Sequence, residues 1–98
     1  MKIMISQPMR GKTNEQIRAE RAELVKRLEE EGYKVLDTII NETPPKDVND
    51  AIYYLSKSIE FIGKVDAVYF MRNWQKARGC KIEHEVAVEY GKRVFYGN

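Results

Sequence analysis

Only one cysteine, Cys80, occurs in the 98 residues. A lone cysteine closes no internal disulfide, so the fold depends on its core, and the composition fits a reducing compartment. Long apolar runs are also missing, which excludes a membrane-spanning helix. Residues Lys2 to Ser6 already read as a strand and leave no room for a secretory leader, so a cytoplasmic protein is expected. No excess of one charge sign is present. The formal net charge is +2, with acidic and basic residues interspersed, which argues against a nucleic-acid partner. Neither a cysteine pair nor a His-Glu-x-x-His pattern occurs, so no metal and no other cofactor are expected.

Hydrophobic residues make up 43% of the chain, enough for a packed core, and the length suits one domain. Lys2-Ile3-Met4-Ile5-Ser6 is a short apolar run before a loop with proline and glycine, hence a first strand. Thr13 and Gln16 form the S/T-x-x-E/Q capping box that opens a helix. Ile17, Leu24, Val25 and Leu28 follow helical spacing to about Glu31, and Gly32 stops it. Tyr33–Asp37 reads as a second strand. Pro44-Pro45 forbids a regular element between Thr38 and Val48, so a loop is expected there, placed to act as a lid. Asn49 or Asp47 caps a second helix with Ile52, Leu55, Ile59 and Ile62 as its inner stripe. Val65–Met71 is a third strand. A third helix runs from about Gly79 to Tyr90, with Ile82, Val86 and Tyr90 at core spacing, and Arg93–Tyr96 is the last strand.

The order βαβαβαβ with right-handed crossovers predicts an α/β fold. It is three-layered and doubly wound, flavodoxin- or Rossmann-like, with a four-stranded parallel sheet in the order 2-1-3-4. So small a sheet leaves apolar surface that a homodimer would cover.

Ligands of such sheets bind outside the carboxyl ends of the strands. Two loops lead there. The first, Ser6-Gln7-Pro8-Met9-Arg10-Gly11-Lys12-Thr13, enters a helix N-terminus whose N–H groups attract anions, and Gly11 permits close backbone approach. The same residues also fit an ordinary capped connection with solvated bases. A P-loop is excluded, because its first glycine would stand where Ser6 is.

The second loop ends in Gly79-Cys80-Lys81-Ile82-Glu83. Glu83, expected on the first helical turn beyond a strand's carboxyl end, is placed as a nucleophile or general base. A solvent-facing helix glutamate is the alternative. Asn73, Trp74 and Arg78 precede it. Trp74 could stack on a base and Arg78 could meet a phosphate, or Trp74 could cover the core edge. Consecutive helix residues diverge, so Glu83, His84 and Glu85 do not share one metal ion. His84 reads as a surface or interface residue, and Glu85 and Glu89 as solvated charge. Cys80 reads as packing, ahead of a catalytic thiol at the helix N-terminus, for which no partner histidine is placed. Asp66, at the start of the third strand, reads as a turn or cap residue.

These residues resemble the nucleoside 2-deoxyribosyltransferase-like superfamily, in particular a short bacterial and phage branch of it. The likeness spans nearly the whole chain. Its markers are Ser6-Gln7-Pro8-Met9-Arg10-Gly11, Ala67-Val68-Tyr69-Phe70, and Gly79-Cys80-Lys81-Ile82-Glu83 followed by Ala87 and Gly91-Lys92. The resemblance implies that Glu83 is the nucleophile and that Ser6, Arg10 and Gly11 hold a 5′-phosphate. The substrate would be a nucleotide or nucleoside whose N-glycosidic bond is cleaved by hydrolysis or transfer. Ser58 and Ala77 stand where relatives carry aspartates, and Cys80 replaces their threonine. The same resemblance therefore also admits a nucleotide-binding protein without catalysis.

Overall fold

In the computed structural model, which describes residues 1–97, four strands form one parallel sheet in the order β2-β1-β3-β4. They are β1 (Lys2–Ser6), β2 (Lys34–Val35), β3 (Ala67–Phe70) and β4 (Arg93–Tyr96). Three helices connect them: α1 (Asn14–Glu30), α2 (Asp50–Ile62) and α3 (Arg78–Glu89). The α/β fold, the strand order and the flavodoxin-like winding agree with the sequence reading.

Strand alternation divides the core in two. On one face Ile3, Ile5 and Ala67 pack against Leu24 and Leu28 of α1. On the other, Met4, Val68 and Phe70 pack against Ile62 of α2 and Ala87 of α3. The central pairing of β1 with β3 runs from Ile3↔Ala67 to Ser6↔Phe70. That register brings Ser6 and the end of β3 to the same rim of the sheet.

The capping box forms as predicted. Gln16 N donates to Thr13 Oγ1 at 3.1 Å, and Thr13 N donates to Gln16 Oε1 at 2.8 Å. Asn49 caps α2 by accepting from Ile52 N. Residues 38–48 contain no helix or strand. Their path is tied down by Asn14 Nδ2 donating to Asn41 Oδ1 and by Tyr53 Oη donating to the Glu42 carboxylate.

Several expectations fail. β2 is shorter than Tyr33–Asp37, because Asp37 Oδ1 accepts from Ile39 N at 3.1 Å and turns the chain away. Two residues of the expected inner stripe of α2 are exposed, Ile52 at 63% and Ile59 at 37%. Ile62 meets the core as expected, but the helix is rolled so that Phe61 joins it in place of Ile52 and Ile59. On α3 the fully buried residues are Cys80, Glu83 and Ala87; of the expected Ile82, Val86 and Tyr90, only Val86 packs against the core, half-buried. Small Cys80 and Ala87 let the helix approach the sheet closely. Ile82 is pushed to a flank, and Tyr90, the C-cap of α3, is exposed.

Candidate functional site

β1 ends at Ser6, and Gln7 follows it; both are buried although polar. Met71 N donates to Ser6 O at 2.9 Å and fixes the β1 rim against the end of β3. α3 then begins at Arg78, which puts Glu83 in the second turn rather than the expected first. Side chains on a helix lean toward its N-terminus, so Glu83 reaches back over Gly79. A Cβ on Gly79 would lie 3.7 Å from Glu83 Oε2. Glu83 is only 9% exposed, which sets aside the solvent-facing alternative.

Burial raises the Glu83 pKa to about 7, against the opposing effects of the Ser6 hydroxyl and the Arg21 guanidinium. An ionised carboxylate loses its hydration here and gains no direct ion-pair partner in return. Cys80 is governed by the same surroundings. Burial pushes its thiol up to about 11, although the Ser6 hydroxyl opposes this. Cys80 is therefore a packing thiol at neutral pH and not a nucleophile.

Arg21 is the member of this group that sequence reading missed. It lies four residues after Ile17 and three before Leu24, on the buried stripe of α1. A charged residue inside an apolar stripe was the available signal. Arg21 Nε donates to Gln7 Oε1 at 2.6 Å and Nη1 donates to Thr38 Oγ1 at 3.3 Å. Gln7 Nε2 in turn donates to Ile17 O at 3.4 Å. Thr38, also missed, follows the short β2 and carries no pattern that would mark it. Burial lowers the Arg21 pKa, opposed by Asp37. Asp37 itself stays below the usual carboxylate range. Its burial works against this, but the Ile39 N–H and Arg18 outweigh it.

Ser6, Gln7, Gly79 and Glu83 are thus brought together, with Arg21 and Thr38 added. Met9, Arg10 and Gly11 form an exposed turn in which Lys12 N donates to Met9 O at 3.1 Å and Gly11 adopts φ +78°. Arg10 makes no ion pair among the described residues, whereas Lys12 is engaged by Glu20 at 2.9 Å. Arg78 is exposed at the start of α3.

Asn73 and Trp74 belong to a different neighbourhood. Trp74 stacks on His84 at 4.3 Å and packs against Phe70 and Tyr96. The two surface hollows it lines include neither Ser6 nor Glu83. His84, expected as a surface or interface residue, is half-buried and its Nε2 meets Tyr96 Oη at 2.6 Å. Asp66 accepts from Lys2 N at 2.9 Å, as suits a turn residue. Among the described residues no three His, Cys, Asp or Glu side chains gather as a metal site. None of the described helices is long and apolar enough to cross a membrane.

The molecule is therefore an open parallel α/β protein with a buried carboxyl group at the carboxyl rim of its sheet. The chain belongs to the family defined as a domain of unknown function, DUF4406, whose model matches residues 1–96. A comparison with curated proteins finds no match.

Proposed function

We propose that the chain binds a nucleotide and cleaves its N-glycosidic bond, with Glu83 as the nucleophile. The observation that carries this reading is the position of Glu83. It is buried, laid over Gly79 and faced by Ser6, at the rim where open parallel sheets take their ligands. The resemblance to the deoxyribosyltransferase-like superfamily supplies the chemistry.

One Glu83 carboxylate oxygen attacks C1′ of the sugar. The C1′–N bond breaks, its electron pair leaves with the base, and the base takes a proton from solvent. Water then attacks C1′ of the glycosyl ester, frees the carboxylate and releases a proton, or a second base takes the sugar. The transition state is oxocarbenium-like, and a desolvated negative charge beside it stabilises it strongly. Because Glu83 titrates at about 7, the attacking form accumulates as pH rises through neutrality. Ser6, Arg10 and Gly11 would hold the 5′-phosphate and orient the sugar. Asn73 and Trp74, which line hollows away from Glu83, take no part in this reading.

The test is incubation with a panel of nucleoside monophosphates and detection of free base. Glu83→Ala and Glu83→Gln are expected to abolish release with the fold intact. Full activity in either variant would remove Glu83 from the mechanism. A second reading, a nucleotide sensor or sponge, is favoured by one feature: Ser58 and Ala77 supply no acidic partner for Glu83. It predicts saturable binding, weakened by Arg10→Ala, and no base release from any member of the panel. A homodimer in the cytoplasm belongs to both readings.

A further inference from the structure

Arg21 is a buried cation without a complete set of partners. It is only 5% exposed. Its Nε and Nη1 donate to neutral acceptors, Gln7 Oε1 and Thr38 Oγ1, while Nη2 has no partner among the described residues. The nearby carboxylate of Asp37 is committed to Arg18 Nη1 at 3.1 Å and to Ile39 N. A buried donor left unmade is costly, more so on a charged group. The Ser6 hydroxyl, 2% exposed, faces the Glu83 carboxyl group and the Cys80 thiol, but no well-formed hydrogen bond satisfies it among the described residues. Both groups act on Glu83. A buried guanidinium donor left open, beside a hydroxyl only loosely held by a carboxyl group, is an unusual arrangement for a core that has no ligand to receive.

The helix N-terminus above them is a poorer anion site than the sequence suggests. The Thr13 hydroxyl already occupies Gln16 N, and Lys12 is paired with Glu20. We propose that Arg21 Nη2 and Ser6 Oγ are ligand donors, forming a buried anchor for one oxyanion of the ligand, of the phosphate class. Exposed Arg10, on the turn that follows Gln7, would then add charge from outside. Guanidinium supplies charge-assisted bonds, and the hydroxyl supplies a rotatable donor. The inference deepens the proposed function and rests on it only in placing the ligand beside Glu83.

The test uses inorganic phosphate as the probe, with binding followed by calorimetry and by the melting temperature of the full chain. Phosphate is expected to stabilise the wild type. Arg21→Met should weaken phosphate binding on the order of tenfold or more, while Arg10→Ala weakens it less. Without phosphate, Arg21→Met loses the bonds to Gln7 Oε1 and Thr38 Oγ1 and is expected to melt lower whether or not the anchor exists, so the change in phosphate affinity is the deciding readout. Undiminished phosphate binding by Arg21→Met overturns the proposal. Should that variant fail to fold, the Arg21 side-chain N–H resonances of the wild type decide. A phosphate-dependent shift supports the anchor and an unmoved signal overturns it. If base release needs Glu83 but Arg21→Met leaves it intact on nucleosides and monophosphates alike, the anchor falls and the glycosidic reading stands.

Discussion

Arg21 acts on the Glu83 carboxyl group through space, yet the two form no ion pair, and burial overrides the attraction to hold Glu83 at about 7. Close pairing would have driven that value down. The spacing leaves the carboxyl group poised between its two forms and the guanidinium with a free donor.

A pH dependence of stability follows. The folded-state pKa of Glu83, about 7, lies above its ordinary value of 4.5. Its stabilising contribution is therefore full below about pH 4.5 and is lost as pH rises through about 7. Between about pH 5.5 and about pH 8 the loss amounts to about 2 kcal/mol. Glu83→Gln should remove this slope. Urea unfolding of both proteins at the two pH values is the measurement. Asp37 works in the opposite sense, since its pKa is lowered on folding. Its contribution is lost only as pH falls below the ordinary carboxylate range, outside this window. Equal slopes in wild type and variant would show that Glu83 is not the titrating group.

Thr13→Ala should cost about 1 kcal/mol of unfolding free energy, because it opens one half of the capping box and frees Gln16 N. Thr13→Ser should restore most of it by keeping the hydroxyl. The pair of substitutions also probes the anion loop. Loss of the cap without change in phosphate binding would assign Thr13 a purely structural part.

The roll of α2 exposes Ile52 and Ile59, and a homodimer would cover them. A double replacement, Ile52→Lys with Ile59→Lys, should convert a dimer to a monomer in sedimentation equilibrium and leave the far-UV spectrum unchanged. Should the wild type sediment as a monomer across a wide concentration range, α2 is not a self-association face.

Much of the architecture was legible before any coordinates. Val65–Met71 and Arg93–Tyr96 are apolar runs bounded by glycine or polar turns, and Thr13 with Gln16 marks a helix start by local chemistry alone. Such signals lie within a few residues of each other, so the chain carries them openly. Helix rotation does not work that way. Whether Ile82 or Glu83 faces the sheet depends on how closely small Cys80 and Ala87 let α3 approach, which is a property of the packed pair.

The candidate site divides along the same line. Sequence alone singled out Glu83, Ser6, Gln7 and Gly79, because a strand followed by a glycine-bearing helix start implies a ligand rim. Arg21 and Thr38 stayed hidden, being far from that motif in sequence. Trp74 was drawn into the pocket by proximity along the chain, although it stacks on His84 instead. Local hydrophobic period and cap chemistry determined the element order and hence the sheet. Burial, which requires all layers to be in place, decided how Glu83 titrates and left Arg21 with an open donor.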